Sequence, residues 1–211
     1  MRIALSALLA VTVLATSNPA ARGRLLGPFG FGMSVDDARR AAECKLRSMG
    51  RAADETLACS RYKLGDSSVE LLLRFTNGQL SAITFRHSGM SEGKMRKELE
   101  RILRLLVAEA GALRSPELGM VAVSPDTVLE YLKKRRTYAP TASLGAIPDN
   151  PSDTIDLRAW FTTSRGAAPT DNFWAYSGIE GGTAPVAGSA MDMVFHTIVI
   201  TLRPARPSTE H

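Results

Sequence analysis

The chain has 211 residues, 45% of them hydrophobic and 22% charged, and carries a formal net charge of +5. That length holds one domain or two small ones, and that balance excludes a wholly disordered chain. The charge is spread out apart from Lys133-Lys134-Arg135-Arg136, so it permits contact with acidic surfaces without arguing for it, and no nucleic-acid partner is expected.

Residues 1–17 read as a secretory signal peptide. Arg2 supplies a positive start, "IALSALLAVTVLA" an apolar run, and Ala15 and Ser17 the −3 and −1 positions of a cleavage site. The run is too short to span a bilayer comfortably; an uncleaved anchor is the alternative. No Cys follows it, so lipidation of the bacterial lipoprotein kind is not indicated. No later run of about 18 apolar residues occurs, so no stable membrane span is expected after cleavage. The expected location is periplasmic or secreted. There, Cys44 and Cys59 read as a disulfide closing a loop of about 15 residues; two separate buried thiols are the alternative.

The remainder divides into 18–88, a helix plus three-stranded meander; 89–203, a second helix-plus-strands unit; and 204–211, a flexible tail. "GPFGFG" leads in as a turn or short edge strand, since it lacks the G-K-[ST] ending of a phosphate loop. A helix is predicted from Val35 to Met49, because Val35, Ala38, Ala42, Leu46 and Met49 share one face. Ser34 caps it, Asp36 and Asp37 complement its positive end, and Gly50 stops it. On that helix Cys44 lies about 180° from the apolar stripe.

Residues 57–64 read as one strand, and Val69, Leu71, Leu73 and Phe75 as the core face of the next. Asn77-Gly78 is a hairpin turn, and Ile83 and Phe85 lie on the return strand. An amphipathic helix follows over 92–110, burying Met95, Leu99, Ile102, Leu103, Leu106 and Ala110 and ending at Gly111. A shorter one starts from Ser124 as N-cap and Pro125 at its first position, with the basic run 133–136 at its C-terminal end. Residues 137–153 hold three prolines and read as a long loop. "TIDLRAWF" and "NFWAYSGI" are strand candidates, "GGTAPVAGSA" a flexible loop, and "MDMVFHTIVITL", apolar on both faces, a central strand. The fold class is α+β, amphipathic helices packed on antiparallel sheet. The recurrence of helix then strands is readable as two diverged units.

Gly89-Met90-Ser91-Glu92-Gly93 spells G-x-S-x-G, which invites a nucleophile reading for Ser91. Gly-Met-Ser also occurs at Gly32-Met33-Ser34, again before a predicted helix, so both serines are read as N-caps whose side-chain oxygen takes a free backbone N–H. A nucleophile elbow needs a parallel strand and a downstream loop histidine, and this strand belongs to an antiparallel hairpin. His87, His196 and His211 show no metal-ligand spacing, so no metal and no cofactor are expected. His87 and His196 are read as core-edge residues. The best candidates for a binding surface are Trp160, Phe173, Trp174 and Tyr176. Trp160 is out of phase with Ile155, Leu157 and Phe161 and points to the opposite face.

The stretch "FGMSVDDARRAA … YKL … VELLLRFTNGQLSAITF" resembles the small exported helix-plus-meander modules of the SmpA/OmlA type and of the β-lactamase-inhibitory-protein type. There a "GMT/GMS" lead-in opens a helix and an "F-x-x-G-x-L" hairpin follows, supplied here by Phe75, Gly78 and Leu80. The resemblance covers about residues 30–87 and implies an envelope scaffold or inhibitor rather than an enzyme. The expectation is an exported, non-catalytic binding or scaffold protein of the bacterial cell envelope. Its partner would be an envelope protein or another envelope component. A serine hydrolase using Ser91 and a small-ligand carrier are the alternatives.

Overall fold

The computed structural model describes residues 26–49, 55–136, 141–151, 154–165, 174–176, 179–181 and 194–205. The expected signal peptide and the last six residues lie outside them. The elements run α1 (Val35–Ala41), β1 (Arg47–Ser48), β2 (Thr56–Leu64), β3 (Ser67–Thr76), β4 (Gln79–Met90), α2 (Glu92–Ala110), β5 (Leu113–Ser115), a 3-10 turn (Pro116–Leu118), β6 (Val121–Ala122), α3 (Pro125–Arg136), β7 (Thr141–Pro148), β8 (Ile155–Arg165), β9 (Trp174–Tyr176), β10 (Ile179–Gly181) and β11 (Val194–Pro204). The fold is α+β. Nine strands form one antiparallel sheet in the order β1-β2-β3-β4-β11-β8-β7-β5-β6, and β9 pairs with β10 apart from it.

The meander is β2-β3-β4. Its second turn sits on Asn77 (φ 52°) and Gly78 (φ 75°), the two left-handed positions that a tight two-residue hairpin needs. The lead-in docks against this hairpin: Gly32 N donates to Leu80 O at 2.9 Å and Leu80 N to Met33 O at 2.8 Å. Phe29 is thereby buried against Tyr62, ring centroids 6.0 Å apart.

One core joins the three helices to one face of the sheet. The strands contribute Leu71, Leu73, Phe75, Ile83, Phe85, Leu144, Leu157, Phe161, Ile198 and Ile200; the helices add Ala38, Met95, Leu99, Ile102, Leu106, Val128 and Leu132. The alternation of these strand residues puts their neighbours on the other face, which carries no helix among the described residues.

Three expectations are corrected. The first helix stops at Ala41 instead of Met49. A disulfide joins Cys44 to Cys59 of β2 with Cα atoms 6.3 Å apart, and a helix continuing through Cys44 would aim that side chain away from the core. The chain leaves the helix at Ala42, and Arg47 and Ser48 pair with Ala58 and Leu57 instead. The expected loop 137–153 contains β7. Ala142, Leu144 and Ala146 of this strand are buried while Ser143 is exposed, an alternation of small residues that carries little periodic signal. Of the expected flexible stretch 181–190, Gly181 forms the end of β10 (Ile179–Gly181), while 182–190 lie outside the described residues.

Candidate functional site

Strand register lays out the helix-free face. Glu70, Arg86, Val199, Trp160 and Gly145 form one row across β3, β4, β11, β8 and β7. Ala58, Leu72, Thr84, Thr201 and Arg158 form the next. The middle of the face is closed. Leu72, Thr162, Thr197 and Thr201 are buried, Thr84 and Thr201 share a hydroxyl hydrogen bond at 2.9 Å, and Arg86 Nε meets Glu70 Oε2 at 2.5 Å. Solvent reaches this face at Arg74 and Thr76 of β3 and at the β7–β8 corner, where Ser143 is exposed, Trp160 half-buried, and the side chains of Arg158 and Asp156 are 50% and 42% accessible.

At this corner Trp160 lies over Gly145. A Cβ added at residue 145 would collide with the indole, whose Cη2 is 2.8 Å from that point. The same point is 3.1 Å from Glu117 Oε1. Glu117 follows β5 in the 3-10 turn, accepts the Gly145 N–H at 3.1 Å through Oε1 and the Ser115 hydroxyl at 2.8 Å through Oε2. The carboxylate thus satisfies an outward N–H of β7 that no strand partner takes, and stands at the margin of the ring.

Sequence reasoning reached Trp160 through strand parity but missed Gly145 and Glu117. Neither carries a local signal, because their partners are 15 and 43 residues away in sequence (Trp160 from each) and only the β5–β7–β8 stacking unites them. Of the other aromatic candidates, Trp174 and Tyr176 lie on β9, paired with Gly181 and Ile179. Phe173 lies outside the described residues.

A second polar cluster pins α2 to the meander. Glu98 is buried beside Ser67 Oγ (2.7 Å), Arg101 Nη2 (2.5 Å) and Arg101 Nε (3.2 Å), with His87 Nδ1 at 3.4 Å. Arg101 also donates to Leu64 O at 2.9 Å. Burial raises the Glu98 pKa, but the contacts from His87, Arg101 and Ser67 outweigh it and hold the carboxyl at about 2. His87 and Ser67 both address the carboxylate rather than each other, so the cluster is an ion-pair anchor and lacks the serine–histidine contact of a nucleophilic triad.

Ser91 sits at the N-cap of α2 and is exposed; its hydroxyl makes no capping hydrogen bond. This corrects the expected side-chain cap, which Ser34 and Ser124 do provide, accepting from Asp37 N at 3.1 Å and Thr127 N at 3.2 Å. The strand before Ser91 is antiparallel to both neighbours, and the cross-strand partner of Met90 is His196, a buried residue inside β11. Among the described residues no group of acidic, histidine or cysteine side chains has metal-binding geometry, and no helix is long and apolar enough to cross a membrane. No family model matches the chain, and neither a curated protein nor a solved structure matches it.

Proposed function

We propose that this is an exported, non-catalytic binding protein of the bacterial cell envelope, working through the corner of the helix-free face around Trp160. The observation that carries the reading is the partly accessible indole, held on Gly145 and flanked by exposed polar side chains rather than covered by a described helix. Tryptophan is enriched at interaction surfaces relative to the rest of a protein surface, which supports the reading. The Cys44–Cys59 disulfide is of a kind that persists in oxidising compartments, which supports export together with the N-terminal leader pattern.

The test is a photo-crosslinking amino acid placed at exposed Ser143, at the same corner as Trp160, and separately at exposed Lys97 on α2, in cells that export the chain. Adducts with envelope material from residue 143 and none from residue 97 are expected. Equal labelling from both, or none from residue 143, overturns the reading. Mass spectrometry of the exported protein should find a chain starting near Asn18; recovery of only the full-length chain from the cytoplasm would contradict export.

A further inference from the structure

We infer that the Trp160 corner is a carbohydrate subsite, made to stack one neutral pyranose ring of an envelope glycan. The inference rests on the binding reading above and names its ligand class. Three features point to it.

The first is the support beneath the ring. The indole lies against a glycine, where any larger residue would displace it, and the Gly145 backbone is fixed by Glu117. The aromatic surface is therefore positioned before any ligand arrives, which reduces the ordering cost of binding. An aromatic ring presents a negative face, complementary to the slightly positive C–H bonds on the flat side of a sugar.

The second is the pair of polar groups beside the ring. Glu117 uses its two oxygens for one protein hydrogen bond each, and a carboxylate offers about four acceptor sites, so it can accept further hydroxyls. Arg158, two residues from Trp160 on the same face, is half accessible, and its contact with Asp156 is a loose 3.6 Å. Its guanidinium has donors to spare. An acceptor beside Gly145 and a donor two residues from Trp160 along β8 thus lie at the same corner as the indole. A polyol, whose hydroxyls both donate and accept, can use both groups.

The third is the small apolar area. Beside Trp160, the described residues of the face that are apolar and not buried are Val199 and Ile147, both half-buried; Leu72, Ala58 and Ala82 are buried. A stable protein interface takes about 800 Å² from each partner around an apolar core, and one ring amid Ser143, Arg158 and Asp156 does not supply that core. One ring amid hydroxyl-binding groups is the size of a single sugar.

The test uses the mature full chain and two probes: chitohexaose, a neutral β-1,4-linked N-acetylglucosamine oligomer, and peptidoglycan sacculi stripped of peptides. The two tryptophans give two indole N–H signals in a ¹H–¹⁵N NMR spectrum, and the one absent in Trp160→Phe belongs to Trp160. Chitohexaose should shift that signal saturably, and the protein should sediment with the sacculi. Trp160→Ala and Arg158→Ala should each weaken both by at least about tenfold and fivefold respectively, in proteins whose other NMR signals are retained. Trp160→Phe should keep part of the binding because it keeps a ring. If Trp160→Ala unfolds, Arg158→Ala alone decides, since that side chain is exposed. Failure of the wild-type chain to bind either probe overturns the carbohydrate assignment. Protein-only adducts from the crosslinker at residue 143 would also overturn it while leaving the binding reading standing; absence of any adduct there removes both.

Discussion

At the scale of single residues, Glu98 shows why a buried acid is tolerated. Leaving water costs free energy, and Ser67, Arg101 and His87 offset that cost only while the carboxylate is charged. Its folded pKa of about 2 lies below the ordinary 4.5, so its contribution to stability is complete above about pH 4.5 and is lost as pH falls through 2. Glu98→Gln should therefore lower the melting temperature at pH 7, and the gap to wild type should narrow steadily between pH 4.5 and 2. A gap that stays constant would refute the linkage. The two Gly-Met-Ser serines make a second comparison. Ser34 takes a backbone N–H and Ser91 does not. Urea denaturation should show Ser34→Ala costing about 1 kcal/mol and Ser91→Ala less than about 0.5 kcal/mol. Covalent labelling of Ser91 by an organophosphonate would reopen the hydrolase reading.

At the scale of elements, the first helix shows a covalent constraint overriding periodicity. The apolar stripe runs on to Met49, yet seven residues form helix, because Cys44 has to reach Cys59. Closing a loop of about 15 residues removes unfolded-state entropy worth about 3 kcal/mol. Reduction, or Cys44→Ala with Cys59→Ala, should lower the melting temperature accordingly, and the oxidised protein should show no free thiol. An unchanged melting temperature after complete reduction would contradict this. The β3–β4 hairpin is the reverse case, where local chemistry prevails: Asn77-Gly78 marks the turn and both residues take positive φ.

At the scale of the whole molecule, the last long strand completes the sheet. β11 lies between β4 and β8, and among the described strands it alone joins the meander to the β8–β7–β5–β6 half. Its Ile198, Ile200 and Leu202 are each 1% exposed. Deleting residues 194–211 should leave two long unpaired edges, at β4 and β8, and such edges template aggregation. Light scattering should show the truncated chain aggregating where the full chain does not. A monomeric, folded truncation would mean that the two halves stand alone. Ile200→Ala is the milder version, expected to cost about 2–5 kcal/mol with the sheet intact.

The sequence by itself determined whatever rests on neighbours within a few turns of chain. These include α2 from Glu92 to Ala110, the caps at Ser34 and Ser124, the hairpin at Asn77-Gly78, and the parity that sends Trp160 away from Phe161. Helix period, strand alternation and turn chemistry are local, so they can be read without a partner. Tertiary structure alone decided the end of α1, the existence of β7, the place of β11 beside β4, and the assembly of Gly145 and Glu117 around Trp160. Each of these joins residues distant in sequence through a disulfide, a ladder or a close contact. Gly145 shows the limit best: it falls in a proline-rich stretch that reads as a loop until β8 pairs with β7 and the indole fills the space a side chain would need.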